Sequence, residues 1–238
     1  VLADAGLWPA DAGQRMGLVL GLGAEHLKRW EDDFLAGGGR VFEPRRERTL
    51  VHALAARLGV LGPAVTVAAA CASSGYAMAL GRSWIHAGWV DTCLVGGCDI
   101  LSPTAIAAFY NLRALSRRGD DPVRASRPFD RDRGAHEDPA KASRPFDKAR
   151  DGFVMGEGGA FFVLERRSAA AGRGVRCYGE LAGVGMSSDG SHMVIPSSDP
   201  VRAAEAITAA LADAGVPPEA VDYVNAHAAG TPVGDVAE

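Results

Sequence analysis

Apolar positions follow two patterns along the chain, and each pattern predicts one type of secondary structure. Short apolar runs bounded by Gly or Pro are typical of buried strands, and apolar residues three or four apart are typical of helices. The runs predict strands at Met16–Gly23, Val65–Val67, Thr92–Gly97, Phe161–Leu164, Val175–Leu181 and Val221–Asn225. The helical spacing predicts helices at Ala24–Leu35, Thr49–Leu58, Ala72–Ala87, Thr104–Leu115 and Ala203–Ala214. Strands that alternate with helices in this way indicate parallel β-α-β units, so we expect an α/β fold.

Two further features bear on the organisation of the chain. The segment Arg166–Gly174 is charged and rich in Ala and Gly, so we expect a seam there between two halves, residues 1–173 and 174–238. The segment Asp121–Asp130 recurs as Asp138–Asp147, 17 residues further on. We interpret this repeat as a tandem duplication within one loop, 121–147, because loops accept insertions at a small cost in closure entropy. An error in the assembled sequence would leave the same trace.

Composition excludes several classes of protein. Of the 238 residues, 47% are hydrophobic and 23% are charged, which excludes an intrinsically disordered chain. A formal net charge of -4 argues against a dedicated nucleic-acid binder. Polar residues interrupt every apolar run before it reaches the ~20 residues that cross a bilayer, and no basic, apolar leader follows Val1. We therefore expect a cytoplasmic protein without a membrane segment.

One of the four cysteines has a context that favours chemistry. None of them has metal-ligand spacing, and Cys93, Cys98 and Cys177 are expected to be small buried hydrophobic residues. Cys71 instead ends a predicted strand and precedes a predicted helix. The unpaired N–H groups at a helix start favour negative charge on a thiol or on a nearby oxyanion. Cys71 is therefore a candidate nucleophile, although a lone cysteine at such a corner is more often part of the core.

His227 is the second candidate for chemistry. It follows the predicted strand Val221–Asn225 and precedes a loop of Ala, Gly, Thr and Pro. Open α/β sheets bind ligands beyond the carboxyl ends of their strands, although a turn histidine bonded to the backbone would have the same context. A thiol nucleophile with a remote histidine is a recurrent pair in acyl transfer, so Cys71 and His227 support each other.

With these residues in place, the sequence resembles the β-ketoacyl-(acyl-carrier-protein) synthases, condensing enzymes of the thiolase-fold superfamily. The matching motifs are Gly62-Pro63, Ala70–Gly75, Val95–Asp99, Arg113–Ser116, Ala142–Asp147, Gly152–Gly158, Ser187–Met193, Val224–His227 and Thr231–Asp235. They occur in the family's order between about Met16 and Glu238, and such a colinear set is more specific than any single motif. The resemblance implies a thiolase-like α/β fold, layered α-β-α-β-α with mixed sheets.

The resemblance also implies a two-step acyl transfer. Cys71 would take an acyl chain from a carrier-protein or CoA thioester, and its backbone N–H would form half of the oxyanion hole. His227 would polarise a malonyl thioester as it loses carbon dioxide, and the resulting carbanion would attack the acyl-cysteine. The partners implied are an acyl carrier protein and a second copy of the chain. No metal or diffusible cofactor is implied, because the phosphopantetheine arm arrives with the substrate.

Five further residues receive supporting roles from the same resemblance. Thr231 would contact the phosphopantetheine arm, and Phe109 would line the acyl pocket. Asp189 and His192 would belong to a mobile loop near the entrance. Glu238 would steady the active-site lysine of the family.

The sequence also departs from the family pattern. Ala228-Ala229 replaces the usual Gly-Thr, which removes one hydroxyl from the pantetheine contacts. The family's lysine, second histidine and Gly-Phe-Gly gate would lie beyond Glu238, and the first strands of the N-terminal half are absent. We therefore expect an internal fragment, incomplete at both ends, that as given lacks the full activity of a 3-oxoacyl-(acyl-carrier-protein) synthase. The main alternative is a non-catalytic ketosynthase-like partner or an inactive remnant. Serine hydrolysis through Ser73 or Ser74 is a weaker alternative, because neither serine lies in G-x-S-x-G.

Overall fold

The computed structural model describes residues 1–8, 14–23, 25–39, 49–116, 145–146, 148, 150, 152–192 and 194–238. The helices found there are Glu25–Leu35 (α1), Leu50–Leu58 (α2), Ser73–His86 (α3), Pro103–Asn111 (α4), Arg167–Arg173 (α5), Val201–Ala214 (α6) and Gly234–Ala237 (α7). The strands are Met16–Gly21 (β1), Ala64–Val67 (β2), Thr92–Asp99 (β3) and Gly158–Glu165 (β4). The chain divides into a first unit, Val1–Thr104 with Glu157–Glu180, and a second unit, Ala105–Gly156 with Leu181–Glu238.

The first unit contains a mixed sheet in the order β2-β1-β3-β4. β1 runs parallel to both neighbours, with Val19 opposite Val65 and Val95, whereas β4 runs antiparallel to β3. The predicted α/β class is confirmed, and three of the four strands form the expected parallel arrangement. Because parallel strands end at the same edge of a sheet, the turns after β1, β2 and β3 gather on one side of this unit.

The core of the first unit lies on both faces of β1. Successive residues of a strand point to opposite faces, and all six residues of β1 are buried. On one face Leu18 and Leu20 belong to a cluster with Val51 of α2. On the other face Val19 belongs to a cluster with Trp84 of α3. The two clusters fix α2 and α3 on opposite sides of the central strand.

Two predicted strands are absent from the described residues. Val175–Leu181 and Val221–Asn225 have strand-like sequences, but neither pairs with another strand. Their side chains make other contacts or face the solvent. The Tyr178 hydroxyl donates to Asp4, 3.0 Å away, and Tyr223 is 79% exposed. Both predictions were wrong because a strand needs a partner ladder for its N–H and C=O groups, which apolar alternation alone does not supply.

Other boundaries differ in smaller ways. The helix predicted to reach Leu115 ends at Asn111, because Arg113 adopts a left-handed φ of 56° and Leu115 forms an isolated parallel bridge with Phe153. The segment expected to be a seam forms α5, which ends at Gly174 with a φ of 66°. The division at residue 173 stays a prediction. The repeat at 121–147 falls outside the described residues except for Pro145 and Phe146.

Candidate active site

Cys71 lies on the turn between β2 and α3, where its free thiol is exposed. The preceding residue, Ala70, has a φ of 49°, a left-handed conformation that costs an L-residue about 1–2 kcal/mol. The buried Ser73 hydroxyl holds this turn, because it accepts the N–H of Ala69 at 2.9 Å and donates to the carbonyl of Ala70 at 2.6 Å. The carbonyl of Leu22, just after β1, lies 3.3 Å from the same hydroxyl. Ser73 thus ties the cysteine turn to the end of the central strand.

Two glycines let the amino end of α3 lie directly on the sheet. A Cβ atom at Gly21 would lie 2.6 Å from the carbonyl carbon of Ser73 and 2.7 Å from its oxygen. A Cβ atom at Gly97 would overlap the Ser74 hydroxyl and lie 2.7 Å from the carbonyl oxygen of Gly21. The missing side chains therefore bring Cys71 to the edge where the three parallel strands end.

The start of α3 favours negative charge. Its N-cap residue, Ala72, makes no side-chain capping bond, and the first turn contains no acidic residue. The amino end of a helix carries a partial positive charge, and here no carboxylate of that first turn offsets it. A negative charge that develops on the Cys71 sulfur, or on a carbonyl oxygen bound beside it, would therefore be stabilised.

A cleft of about 410 Å³ opens beside the first turn of α3. Glycines of β3 and β4 line it, and Met78, Cys98 and Phe162 add apolar surface. Ser74 and Asp99 supply polar groups. The cleft adjoins the helix that begins two residues after Cys71, but Cys71 itself does not line it.

His227 lies in the second unit, where its side chain is exposed and its backbone is held. The N–H groups of His227 and Ala228 both donate to the carboxylate of Glu238, at 2.7 Å in the case of Ala228. Ala228 has a left-handed φ of 48°. Glu238 therefore fixes the backbone beside His227, and its predicted action on a lysine stays a prediction.

Thr231 follows in the same loop and is half-buried. Its hydroxyl oxygen accepts the N–H of Gly234 at 3.1 Å. Its carbonyl oxygen accepts the Nε–H of Arg150 at 3.1 Å. Arg150 and the buried Asp235 of α7 were not assigned roles from the sequence. Asp235 ends the Thr231–Asp235 motif, but the sequence does not show which groups its carboxylate bonds.

Phe109, the expected acyl-pocket residue, lies on α4 and is half-buried. Its ring packs edge to face on Phe153, with the two centroids 5.2 Å apart at an interplanar angle of 78°. The backbone of Phe153 is fixed by its N–H, which donates to Ala114, and by its carbonyl, which accepts from Ser116, both at 3.0 Å. No local pattern in the sequence indicates this pair, because the two rings are 44 positions apart.

Asp189 and His192 organise one exposed loop. The Asp189 carboxylate accepts the backbone N–H groups of Ser191 at 3.2 Å and Ser197 at 2.6 Å. Hydrogen bonds from the Ser191 side chain and from the Ser197 backbone hold the pKa of Asp189 below its ordinary value. The Nδ1 atom of His192 accepts the N–H groups of Val194 and Ile195, each at 3.0 Å. Both residues shape this loop, and their place near a substrate entrance stays a prediction.

The candidate residues fall into both units. His227 and Thr231 share one loop of the second unit, and Glu238 follows α7 in the same unit. Phe109, Asp189 and His192 also belong to the second unit, whereas Cys71 belongs to the first. In the part of the chain that the structure describes, no three His, Cys, Asp or Glu side chains are grouped to hold a metal ion. No helix found there has the length and apolar character to cross a bilayer.

The remaining cysteines differ from one another. Cys93 is fully buried in β3, as expected, and burial raises the pKa of its thiol to about 12. Cys98 is half-buried. Cys177 is exposed, so its predicted burial was wrong, because the strand expected to bury it does not form.

Comparison with known families and proteins gives a consistent result. The family described as Beta-ketoacyl synthase, N-terminal domain, matches residues 1–170, and Beta-ketoacyl synthase, C-terminal domain, matches residues 178–238. The chain is 36% identical over 233 residues to 3-oxoacyl-(acyl-carrier-protein) synthase 2 of Vibrio cholerae, which covers 94% of this chain and 52% of that protein. It is 39% identical over 186 residues to the chloroplastic 3-oxoacyl-(acyl-carrier-protein) synthase I of Arabidopsis thaliana, covering 78% of this chain and 36% of the relative. The chain thus spans about half or less of the length of these relatives.

Solved structures agree with the sequence relatives. A β-ketoacyl synthase from Burkholderia phymatum has a TM-score of 0.76 and 32% identity, covering all of this chain and 56% of the other. A ketosynthase of a type II polyketide synthase, bound to a hexaketide and in complex with its acyl-carrier protein, has a TM-score of 0.81 and 26% identity, covering all of this chain and 58% of the other. These neighbours confirm the predicted thiolase-like fold.

Proposed function

Because the chain belongs to the β-ketoacyl synthase family, we propose that it takes part in a decarboxylative condensation of acyl and malonyl thioesters. The product would be a 3-oxoacyl-carrier thioester of fatty-acid or polyketide synthesis. The observation that carries the proposal is the exposed Cys71 thiol on a strained turn, at the uncapped amino end of α3 and the carboxyl edge of parallel strands. This is the geometry that a thiol nucleophile for a thioester requires.

In the first step the Cys71 thiolate attacks the carbonyl carbon of an acyl-carrier thioester. A C–S bond forms to Cys71 and the C–S bond to the phosphopantetheine arm breaks. The proton that Cys71 gave up passes to the carrier sulfur, which leaves as a thiol. The oxyanion of the tetrahedral intermediate would lie in the field of the α3 amino end, with the N–H of Cys71 as one donor.

In the second step a malonyl-carrier thioester loses carbon dioxide. The bond between its α-carbon and carboxylate breaks, and the electron pair passes onto the thioester as an enolate, whose oxygen His227 would stabilise. The α-carbon then attacks the acyl-Cys71 carbonyl, the C–S bond to Cys71 breaks, and the chain is two carbons longer. Glu238 supports this role of His227, because its carboxylate holds the backbone N–H of that residue.

The supporting residues have narrower proposed roles. The Thr231 hydroxyl would contact the phosphopantetheine arm. Phe109, with its ring braced on Phe153, would form a wall of the acyl pocket. Asp189 and His192 would maintain a loop at the entrance.

Partners and assembly follow from the same family. We propose an acyl carrier protein as the source of both thioesters, as in the neighbouring polyketide complex, and no metal or diffusible cofactor. Homodimer formation, a cytoplasmic location and a boundary between two family halves near residue 173 complete the proposal.

The alternative is a non-catalytic ketosynthase-like partner or inactive remnant. Ala228-Ala229 favours it, because the replaced Gly-Thr would have supplied a pantetheine hydroxyl. The Cys71 thiol argues against it, since a partner that only shapes a pocket has no use for a nucleophile.

Intact-mass analysis of this chain with an acyl-carrier thioester tests the proposal. We expect one covalent acyl group on the original chain and on Cys177→Ala, and none on Cys71→Ala. Cys177 is the matched control, because it is also a free and exposed cysteine of the first unit. Acylation that persists in Cys71→Ala would remove Cys71 from the mechanism. Absence of acylation in the original chain would favour the non-catalytic alternative.

A further inference from the structure

Asp235 is the most deeply buried carboxylate among the described ion pairs. Only 1% of its side chain is exposed, and it lies on the short helix α7. A carboxylate shielded from water in this way is unfavourable unless charged or polar partners compensate it. Asp235 therefore has partners whose positions it constrains.

Those partners come from two separate segments of the second unit. One carboxylate oxygen accepts the N–H of Gly230 at 2.9 Å, and the other accepts the N–H of Phe146 at 2.6 Å. The Nε atom of Arg150 lies 3.5 Å from that second oxygen. Asp235 thus joins the loop after His227 to the segment around residues 146–150.

Arg150 strengthens the same connection. Its Nε–H donates to the carbonyl of Thr231 at 3.1 Å, and its Nη2 donates to the carbonyl of Pro232 at 2.9 Å. The guanidinium therefore binds the loop backbone while it neutralises the carboxylate that binds the same loop. Charge-assisted bonds of this kind are about twice as strong as neutral ones.

The loop needs such support because its backbone is strained. Ala228, directly after His227, has a left-handed φ of 48°, which costs about 1–2 kcal/mol for an L-residue. Glu238 holds the N–H groups of His227 and Ala228 on one side of this residue, and Asp235 holds the N–H of Gly230 on the other. Two carboxylates, three positions apart, thus fix both ends of the turn that presents the histidine.

We propose that Asp235 and Arg150 form a positioning pair for His227, which sets the orientation of its imidazole in the decarboxylation step. This inference rests on the proposed function. It assigns Asp235 no contact with substrate, and it predicts that the pair affects the malonyl step and leaves the acylation of Cys71 unaffected.

The test compares Asp235→Asn with Asp222→Asn in this chain. Asparagine keeps the size of the side chain, but its amide nitrogen would face a backbone N–H, and Arg150 would lose the charge of Asp235. Asp222 is the control, because it is an exposed aspartate five positions before His227. The readouts are carbon dioxide release from a malonyl-carrier thioester, Cys71 acylation by intact mass, and hydrogen exchange of residues 227–232.

We expect Asp235→Asn to lower kcat for carbon dioxide release by about 10- to 100-fold, with KM and the rate of Cys71 acylation within about twofold of the original. Exchange at 227–232 should accelerate, and Asp222→Asn should change nothing. Arg150→Lys, which keeps the charge but loses the planar fork, should give a smaller effect in the same direction.

Three results would overturn the proposal. In the first, carbon dioxide release is unchanged in Asp235→Asn. In the second, carbon dioxide release and Cys71 acylation fall together, which indicates a general structural role. If Asp235→Asn does not fold, Arg150→Lys distinguishes these two outcomes. In the third, exchange at 227–232 is unchanged, which overturns the positioning pair even if the original chain proves inactive. If the original chain is inactive but exchange is faster in Asp235→Asn, the proposed function is refuted, whereas the positioning of the loop by Asp235 and Arg150 still holds.

Discussion

Replacing Gly21 by alanine tests whether the close approach of α3 to the sheet sets the position of Cys71. The new Cβ atom would lie 2.6 Å from the carbonyl carbon of Ser73 and 2.8 Å from the backbone nitrogen of Ser74. Carbon atoms in favourable contact are about 3.5–4.0 Å apart, so the amino end of α3 must move away by about 1 Å. Neither partner can relieve the overlap by rotating, because both are backbone atoms.

Two magnitudes follow from this displacement. Overpacking a well-filled interior costs about 1–3 kcal/mol, so the free energy of unfolding should fall by that amount. A shift of about 1 Å in a reacting group can lower a rate by about 100-fold, so the acylation of Cys71 should slow by one to two orders of magnitude. Urea unfolding measures the first quantity, and time-resolved intact mass with an acyl-carrier thioester measures the second.

Gly172→Ala is the matched control. Gly172 lies within α5 of the same unit, and a Cβ atom there would meet nothing within 4 Å. Alanine favours a helix over glycine by about 0.5–1 kcal/mol, so this variant should be slightly more stable and equally reactive. A Gly21→Ala chain whose stability and acylation rate match those of the original would refute the reasoning.

Two other predictions concern the same unit. Ser73→Ala should lower the free energy of unfolding, measured in urea, by about 1–3 kcal/mol, because the N–H of Ala69 loses its acceptor. Ser83→Ala, on the exposed side of α3, is the control and should change this free energy by no more than about 0.5 kcal/mol. Equal losses in the two variants would contradict the role of Ser73. Burial raises the pKa of Cys93 to about 12, so above pH ~8.5 the unfolded chain loses this proton first and binds fewer protons than the folded one. Stability should therefore fall as pH rises from about 9 towards 12, and Cys93→Ala should show a shallower fall; identical slopes would count against a buried neutral thiol.

The sheet of the first unit could be predicted from the sequence because its central strands, β1 and most of β3, are buried. β1 is an apolar run that ends at Gly21, the apolar part of β3 leads into Gly96-Gly97, and the helices between the two strands have clear apolar periodicity. The same signals failed at Val175–Leu181 and Val221–Asn225. Those segments carry the residues of strands, but pairing depends on where another strand lies, and local pattern contains no such information.

The sequence predicts those parts of the candidate site whose chemistry depends on the type of side chain at a position. Cys71 at a strand-to-helix corner and His227 before a Gly-Thr-Pro loop have signals in the sequence itself. Asp235 and Arg150 do not, because their importance lies in the backbone groups that they bond. Asp235 bonds the backbone of Phe146, 89 positions away, and Arg150 bonds the backbone of Thr231, 81 positions away. Supporting groups of this kind emerge only when the fold brings distant backbone together.

The contact of α3 with Gly21 and Gly97 also determines which amino-acid substitutions this protein can tolerate during evolution. At Gly21 the limit of approach is set by the backbone of Ser73 and Ser74, and at Gly97 it is set by the Ser74 hydroxyl and the backbone of Gly21. Neither limit at the amino end of α3 involves the apolar side chains of the two core clusters. Substitutions that conserve volume in those clusters are tolerated in cores, and they should leave the thiol in place. The location of the Cys71 thiol is therefore less sensitive to such substitutions than to changes at Gly21 and Gly97, where the smallest possible enlargement of a side chain meets the start of α3.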